Sequence, residues 1–367
     1  MAKQIKYGED ARRAIEKGVN ALGLKDFGKH TETLKLRGLD PEATYSIKEI
    51  NCGERLHLEG GSQSSATVSG RDLMERGLAV MLSGDYDSAV FEICRQEAVA
   101  GLAVGCCSVV KPGYDTLIAH RGESVDAPEN TLPAYKTAVE RGFGFECDIY
   151  LSKDGRVFTF HDRDLKRTSG GVNKKKCADA MWAGELENID VGSWGKWKGS
   201  KFAGTRPALL EEVLALARDG RQIYVEVKTG PEIVPAVKKV FEGQTNATPK
   251  NALFITFNEA TCKALKAAMP DYRVYWLVSP KKGTAFATAD GIVAKLMELG
   301  VDGVDCHYKP DIVTAEYVKA IRGAGYEFHV WTVDELADTV EAFRRGAQTV
   351  TTNCAKKQLD EYRKAAK

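Results

Sequence analysis

Four pairs of polar residues, each pair one or two positions apart, recur in the C-terminal two thirds of the chain. Every pair stands inside or directly after a short apolar run. The pairs are His120 with Arg121, Glu146 with Asp148, His161 with Asp162, and Glu226 with Lys228. Side chains two apart on a β-strand point to the same face. Glu146 and Asp148 would therefore present two carboxylates side by side.

If these residues converge, they form a set of imidazoles, carboxylates, a guanidinium and an amine. Three carboxylates at one place repel each other and call for a cation, and oxygen ligands of this kind favour Mg²⁺ or Ca²⁺. Arg121 suits phosphate oxygens through its planar fork, and Lys228 suits them as a point charge. Two histidines that titrate near neutrality can share acid and base roles. The set predicts cleavage of a phosphodiester with one divalent cation, Mg²⁺ or Ca²⁺, as the cofactor.

Each of these residues also has a purely structural explanation. A histidine at a strand end is often structural, and Glu146 with Asp148 could face solvent on an edge strand. Glu226 and Lys228 could form a simple ion pair. The occurrence of all of them at the ends of successive strands favours a site. The remaining histidines lack such company and are assigned structural roles: His30, His57, His307 and His329.

The elements that must position these residues alternate between strands and helices from Gly113 onward. Helical stretches include Leu132–Arg141, Leu209–Arg218 and Ala315–Ala324. Alternation over about 240 residues is typical of a parallel α/β fold and suits a (β/α)8 TIM barrel, in which the carboxyl ends of the strands share one mouth. Nine apolar runs qualify as strands: Leu117–Ala119, Phe145–Leu151, Val157–Phe160, Ile223–Val227, Leu253–Phe257, Val274–Val278, Gly303–Cys306, Phe328–Thr332 and Thr349–Thr351.

Nine candidates are one more than a barrel needs, and a hairpin accounts for the difference. Phe145–Leu151 and Val157–Phe160 are joined by a tight turn around Asp154, which is too short for a parallel crossover. One arm is therefore expected to be irregular or to lie outside the barrel. A two-residue turn would place Asp148 directly opposite His161.

The N-terminal part has a different pattern. Short extended runs separated by turn residues over 33–93, one of them at Arg55–Gly60, predict a small all-β module. Residues 8–24 are helix-like in composition and could form a helix or remain loose. Residues 169–206 are rich in Gly, Lys and Trp without a clear strand. The predicted domains are a β-rich module at 1–97, a linker at 98–114 and a barrel at 115–367, with an insertion at 169–206.

The composition of this 367-residue chain is 43% hydrophobic and 28% charged, with a formal charge of +1. That balance gives no reason to expect a nucleic acid or an anionic membrane as a partner. The apolar stretch at 98–110 is too short to cross a bilayer, so no stable membrane insertion is expected. The lack of a signal peptide at the start favours the cytoplasm, although the stretch at 98–110 leaves an extracytoplasmic location open. The nine cysteines lack a metal-ligand spacing and are expected to be mostly reduced.

The motifs of the barrel region resemble those of the glycerophosphodiester phosphodiesterase family. They are HRG and PEN-T within 120–131, ExD at 146–148, KDG at 153–155, HD at 161–162, ExK at 226–228 and VWTVD at 330–334. The resemblance implies a glycerophosphodiester substrate, hydrolysed to glycerol 3-phosphate and an alcohol. It further implies a catalytic pair, His120 and His161; metal ligands, Glu146, Asp148 and Glu226; phosphate-binding residues, Arg121 and Lys228; and Trp331 on the glycerol side.

One position departs from that family. Its last turn usually reads Thr-Asn/Asp-x-Pro, whereas this chain has Thr352-Asn353-Cys354-Ala355. The missing proline weakens the prediction for this turn but not the prediction of the site residues.

Residues 34–93 resemble part of the small β-domain at the C-terminus of bacterial α-galactosidases. The segments that carry this resemblance are LKLRGLDPEATYSIKEIN, SGRDLMERGL and GDYDSAVFEI. They include none of the catalytic barrel of those enzymes, so no galactosidase activity is expected. The order of the two parts suggests a fused reading frame, and an accessory β-domain is the alternative.

Two other functions compete with glycerophosphodiester hydrolysis. A related barrel phosphodiesterase could cleave intact phospholipids, as phospholipase D-like or phosphoinositide-cleaving enzymes do. A non-catalytic carbohydrate-binding or scaffold protein could be built around the β-module. The complete set of polar residues argues against the second alternative, and the sequence leaves the head group and the choice between Ca²⁺ and Mg²⁺ open.

Overall fold

A computed structural model describes residues 19–23, 29–34, 44–49, 65–76, 78–83, 88–96, 110–218, 220–244 and 246–365. The chain divides into two compact units, Met1–Val109 and Val110–Lys367. Among the residues described, no helix has both the length and the apolar character needed to cross a membrane.

The first unit contains antiparallel β-structure. The strands β1, β6, β3 and β4 form one sheet in that order, and β2 pairs with β5. Residues 70–75 form a short helix, which begins after Ser69 because the Ser69 hydroxyl accepts a hydrogen bond from the Asp72 amide at 3.0 Å. The strands are β1 (Val19–Gly23), β2 (Lys29–Leu34), β3 (Thr44–Glu49), β4 (Ser65–Ser69), β5 (Leu78–Ser83) and β6 (Ser88–Gln96).

One expectation for this unit differs from the structure, and another is not tested by it. The helix-like composition at 8–24 is overridden at Val19–Gly23, which is a strand because it pairs with β6 along its whole length. The extended run expected at 55–60 lies outside the described residues. An all-β module with the predicted boundaries stays a prediction.

The second unit is a closed barrel of eight parallel strands, as predicted. The ring runs β8, β10, β11, β12, β13, β14, β15 and β7, and pairing of β7 with β8 completes it. These strands are almost wholly buried, because helices cover the outside of the ring and side chains fill the inside. They are β7 (Leu117–Ala119), β8 (Gly144–Leu151), β10 (Ile223–Val227), β11 (Ala252–Thr256), β12 (Val274–Val278), β13 (Gly303–His307), β14 (Glu327–Trp331) and β15 (Val350–Thr352).

Amphipathic helices pack their apolar faces against the outside of the barrel. Several begin at a side chain that accepts a hydrogen bond from the first turn, as Asn258, Thr288 and Thr314 do. The helix expected over Leu209–Arg218 ends earlier than predicted. The helices are Leu132–Glu140, Leu210–Leu214, Val234–Glu242, Glu259–Ala268, Ala289–Leu299, Ala315–Gly323, Leu336–Arg344 and Ala355–Ala365.

The ninth strand, β9 (Val157–Thr159), pairs antiparallel with β8 and stays outside the parallel ring, as predicted. The expected register is wrong by one residue. Leu151 pairs with Val157, and the Phe160 amide donates to the Asp148 carbonyl, so Asp148 lies opposite Phe160 rather than His161. The turn holds three residues instead of two. Three-residue hairpin loops place a residue in the αL conformation, and Gly155 takes that position with a φ of +82°.

The segment after β9 runs over short 3₁₀ turns and contains no named strand up to residue 206. These turns are Cys177–Asp179, Leu186–Asn188 and Gly195–Trp197, and two more lie later in the unit, at Pro231–Ile233 and Ala285–Ala287. Trp182 and Leu186 bury themselves against Phe158 in a cluster of their own. The segment is therefore attached to the hairpin by its own small apolar core.

His329 lies inside the barrel and is buried. Its Nδ1 is 2.7 Å from the Thr349 hydroxyl and its ring stacks on Tyr275 at 4.4 Å. Tyr224 adds a hydroxyl 3.2 Å from the same nitrogen. These contacts explain the burial of His329, which packs as a structural residue of the barrel core.

Candidate active site

Three carboxylates meet where β8 and β10 lie side by side. Glu226 pairs in register with Asp148, and Glu146 lies two residues earlier on β8. One oxygen from each carboxylate lies within 4.8 Å of the others. Their residues are buried, with exposed fractions of 2% for Glu146, 0% for Asp148 and 9% for Glu226. The grouping of these three predicted ligands is therefore a property of strand register.

Burial and mutual repulsion set the charge balance of this cluster. Burial, with the neighbouring Asp148, raises the pKa of Glu226 to about 7 and raises that of Glu146 well above its usual range. Burial also acts to raise the pKa of Asp148, but the charges of Lys228 and Arg121 outweigh it and hold that pKa below its usual range. The buried surroundings thus oppose full ionisation of all three carboxyl groups. A bound cation would offset their mutual repulsion.

The donor set fits a hard divalent cation. All three side chains offer carboxylate oxygens, the ligand type that Mg²⁺ and Ca²⁺ prefer. The buried Glu146 Oε1 has no hydrogen-bond partner among the residues that the structure describes. A buried carboxylate oxygen without a partner is costly, and a metal ion would satisfy it.

Two cationic side chains flank the carboxylates, as the sequence predicted. The Lys228 ammonium is 2.7 Å from Glu226 Oε1 and 3.2 Å from Asp148 Oδ1. Arg121 donates its backbone N–H to Glu146 Oε2 at 2.9 Å, and its Nε is 3.4 Å from Asp148 Oδ2. The ion pair of Glu226 with Lys228 is present, but it forms part of a larger charged cluster rather than standing alone.

His120 follows β7 and turns one nitrogen toward the carboxylates. Its Nε2 lies 3.9 Å from Glu146 Oε2, and its Nδ1 lies 2.7 Å from the side-chain oxygen of Asn353. Burial, helped by the charge of Arg121, lowers the pKa of His120 to about 4. Burial therefore favours the neutral form of the ring.

His161 lies two residues beyond β9 and has a different partner. Its Nδ1 is 2.8 Å from Asp162 Oδ1, and Asp162 in turn accepts from Arg167 Nε at 2.7 Å. Burial lowers the pKa of His161, while the charge of Asp148 opposes the change. About a third of this side chain is exposed, with a relative area of 32%.

Glu129 accepts hydrogen bonds from two arginines of the site region, Arg121 and Arg167. One of its oxygens accepts from Arg121 Nη1 at 2.9 Å and from Arg167 Nη2 at 2.7 Å, and the other accepts from Arg167 Nη1 at 2.9 Å. The guanidinium of Arg167 also lies over the Trp194 ring at 4.7 Å. Glu129 thereby joins the end of β7 to the segment that follows His161.

Asn130 orients Asp148 and was not predicted as a functional residue. Its Nδ2 donates to Asp148 Oδ2 at 2.7 Å, and its Oδ1 accepts from the Asp148 amide at 3.1 Å and from the Tyr135 hydroxyl at 2.7 Å. Asn130 takes a φ of +56°, which asparagine tolerates better than most residues. The PEN-T motif contained this residue but did not reveal its partner.

Trp331 ends β14 beside two other rings. It stacks on His307 with 4.8 Å between centroids, and Phe257 meets it edge-on at 5.6 Å. The Trp331 indole N–H donates to the Asp305 carbonyl at 3.0 Å. His307, which the sequence left without a functional neighbour, thus adjoins a predicted substrate residue and also contacts the Ser279 hydroxyl at 3.0 Å.

The final turn forms without the proline. Thr352 ends β15, and Asp334 accepts from the Thr352 hydroxyl at 3.0 Å and from the Asn353 amide at 2.8 Å. The helix then begins at Ala355. A carboxylate clamp therefore shapes the turn that the sequence had put in question.

Comparison with known proteins agrees with both resemblances seen in the sequence. The model of the glycerophosphoryl diester phosphodiesterase family matches residues 120–357, and that of the glycosyl hydrolase family 36 C-terminal domain matches residues 19–93. The second match begins earlier than the resemblance over 34–93 had indicated.

Individual relatives cover the barrel unit. The glycerophosphodiester phosphodiesterase of Caldanaerobacter subterraneus subsp. tengcongensis is 28% identical over 242 residues, which are 65% of this chain and 93% of the relative. That of Bacillus subtilis is 26% identical over 260 residues, 67% of this chain and 86% of the relative. A phosphodiesterase of Oleispira antarctica, solved in complex with its product sn-glycerol-3-phosphate, is 26% identical with a TM-score of 0.58 and covers 67% of this chain and 95% of that one.

The family model matches well over half of the chain. It begins at His120 and ends in the helix after the last barrel strand, so it contains every member of the carboxylate and histidine cluster. The chain belongs to the glycerophosphoryl diester phosphodiesterase family.

Proposed function

We propose that the Val110–Lys367 unit hydrolyses a glycerophosphodiester to glycerol 3-phosphate and an alcohol. The observation that carries this proposal is the convergence of three buried carboxylates within 4.8 Å of one another, flanked by two imidazoles and two cationic side chains. The names of the relatives, and the glycerol 3-phosphate bound to the Oleispira antarctica protein, support the same substrate class.

Glu146, Asp148 and Glu226 would hold one divalent cation, Mg²⁺ or Ca²⁺. When bound, the ion would polarise the phosphoryl group and offset negative charge that develops on its oxygens. Arg121 and Lys228 would bind the non-bridging oxygens of the phosphate, the first through its forked donors and the second through its ammonium. Trp331 would line the glycerol side.

In the first step, His120 takes a proton from the glycerol 2-hydroxyl at Nε2. The freed oxygen attacks phosphorus, and the bond from phosphorus to the alcohol oxygen breaks. His161 donates its Nε2 proton to that leaving oxygen. The contact of His161 with the Asp162 carboxylate supports this assignment, because a carboxylate stabilises the protonated imidazole that an acid requires.

The second step reverses the proton transfers. His161 now removes a proton from water, the water oxygen attacks phosphorus, and the ring bond from phosphorus to the glycerol 2-oxygen breaks. His120 returns its proton to that oxygen. Water and the starting diester thus account for all atoms of glycerol 3-phosphate and the released alcohol.

The test is release of glycerol 3-phosphate from glycerophosphocholine and glycerophosphoethanolamine, with Mg²⁺, Ca²⁺ or chelator. We expect cation-dependent release that falls by roughly 10² to 10⁴ in His120→Ala and His161→Ala without loss of the fold. Surface variant Lys282→Ala is the control. Near-normal turnover in both histidine variants would sink the scheme.

The acid and the base can be separated by the leaving group. A p-nitrophenyl leaving group departs without protonation, so it should restore release of p-nitrophenol, the product of the first step, in His161→Ala but not in His120→Ala. The opposite pattern would exchange the two roles.

Cleavage of intact phospholipids is the second candidate function. Val172 supports it, because this side chain is 90% exposed on a loop that continues into Lys174, Lys175 and Lys176. Absence of glycerol 3-phosphate release, together with hydrolysis of phospholipid vesicles, would favour this function over the first.

A further inference from the structure

We propose that Asn353 is a positioning residue that fixes His120 as the Nδ1–H tautomer and so leaves its Nε2 lone pair facing the site. Its kinetic consequence rests on the proposed function. The tautomer itself is a property of the folded chain and can be observed without turnover.

The orientation of the Asn353 amide follows from its two partners. Its Nδ2 lies 2.7 Å from Asp334 Oδ2, and a carboxylate oxygen accepts hydrogen bonds but does not donate them. The NH₂ group must therefore face Asp334. The amide oxygen is left to face His120.

The tautomer of His120 follows from that orientation. An amide oxygen only accepts, and Asn353 Oδ1 lies 2.7 Å from His120 Nδ1, so this nitrogen carries the hydrogen. In a neutral imidazole the other nitrogen then holds a lone pair. That nitrogen, Nε2, is the one 3.9 Å from Glu146 Oε2 and on the side of the carboxylate cluster.

Asp334 can hold Asn353 because its other oxygen is fixed to the backbone of the same turn. Asp334 Oδ1 accepts from the Asn353 amide at 2.8 Å and from the Thr352 hydroxyl at 3.0 Å. Ser124 adds a hydroxyl donor 3.2 Å from Asn353 Oδ1. The segment after β14 and the turn after β15 are thereby joined behind the ring of His120.

The two histidines are thus held by different acceptors. His161 Nδ1 faces a carboxylate, Asp162, whereas His120 Nδ1 faces a neutral amide. Of the two, only His161 has a carboxylate as the direct partner of its Nδ1. This difference matches one histidine that begins as a base and another that begins as an acid.

Kinetics of position 353 provide the first test. We expect Asn353→Leu to lower kcat on the order of 100-fold with little change in KM, because the imidazole loses its orientation while the phosphate contacts remain. Asn246→Leu, on an exposed loop, is the matched control and should keep wild-type kcat. Wild-type kcat in Asn353→Leu would overturn the proposal.

A paired exchange separates positioning from loss of fold. In Asn353→Asp alone, the carboxylates at 353 and 334 would face each other where the wild type has a hydrogen bond 2.7 Å long. Their repulsion should separate the two side chains and lower kcat. Adding Asp334→Asn restores a donor opposite an acceptor and should recover most of kcat. A double variant no better than Asn353→Asp would contradict the proposal.

Two-bond ¹H–¹⁵N spectra of the histidine-labelled full chain read the tautomer directly. His120→Ala identifies the resonances of His120 among those of the six histidines. We expect the Nδ1–H tautomer in the wild type and its loss in Asn353→Leu; an Nε2–H tautomer in the wild type would overturn the proposal. If no substrate releases glycerol 3-phosphate, the proposed function fails, while the spectrum still decides the tautomer.

Discussion

Asn130 fixes the direction of one carboxylate of the proposed cation site, that of Asp148. It binds one oxygen and the backbone amide of Asp148, and the Tyr135 hydroxyl holds Asn130 in turn. Such outer contacts orient a metal ligand and tune its affinity. Asp148 therefore depends on a residue from the loop after β7 for its direction.

Replacing Asn130 by glycine removes these contacts while keeping the backbone relaxed, since glycine adopts a φ near +56° without strain. We expect Asn130→Gly to weaken divalent cation affinity by about 10- to 100-fold. Calorimetric titration of Mg²⁺ and Ca²⁺ measures this. Equal cation affinity in the variant and the wild type would show that Asp148 does not need Asn130 for its orientation.

The sequence did not predict the roles of Asn130, Asn353 and Asp334, for a physical reason. Strand periodicity indicates which side chains share a face, and it brought Glu146 beside Asp148 and Glu226 beside Lys228. It says nothing about contacts between loops. Asn353 meets Asp334 only because β14 and β15 are neighbours in the barrel, and their spacing along the chain carries no such signal.

At the scale of elements, Asp154 attaches the β8–β9 hairpin to the segment after it. Its carboxylate accepts from the amides of Trp182 at 2.7 Å and Ala183 at 3.1 Å, and from the Ser152 hydroxyl at 2.7 Å. Burial acts to raise the pKa of Asp154, but these hydrogen bonds outweigh it and lower the pKa to about 2. The KDG motif therefore has a structural role in this chain.

The stabilisation by Asp154 should depend on pH. A carboxyl with a lowered folded-state pKa stabilises fully above its unfolded pKa of about 4, and this contribution is lost as the pH falls through about 2. We expect Asp154→Asn to lower Tm by about 2–4 °C at pH 7 and pH 5, with a smaller gap at pH 3. Asp271→Asn, on another exposed turn, is the control. A gap that stays constant to pH 3 would contradict the role of the charge.

The strands were predictable to different degrees. Leu117–Ala119, Ile223–Val227 and Val274–Val278 have the bounds expected, because each is an apolar run with clear polar or turn residues at both ends. The hairpin register was missed because the length of its loop depends on the αL conformation of Gly155. One residue of loop length shifts every cross-strand pair.

At the scale of the whole molecule, every residue of the proposed site lies in the Val110–Lys367 unit. Three buried carboxylates with one oxygen each within 4.8 Å of the others are the proposed cation site of this unit. Binding of an ion to the folded state alone stabilises that state by mass action.

We expect saturating Mg²⁺ or Ca²⁺ to raise the Tm of the barrel transition by about 5–10 °C, and chelator to reverse the shift. Glu226→Gln should lose most of this response because one ligand loses its charge. Glu259→Gln, on an exposed helix start, should keep it. Identical Tm values with ion and with chelator in the wild type would argue against a resident cation.

The bridge of Glu129 to Arg121 and Arg167 has a consequence for protein engineering. Arg167 precedes the segment at 169–206 that was predicted as an insertion, so the hydrogen bonds of Glu129 with Arg121 and Arg167 form outside that segment. A foreign loop grafted between residues 169 and 206 would leave this connection in place. The segment can then be exchanged in protein engineering, provided that the replacement supplies amide donors to Asp154 and an aromatic ring beneath Arg167.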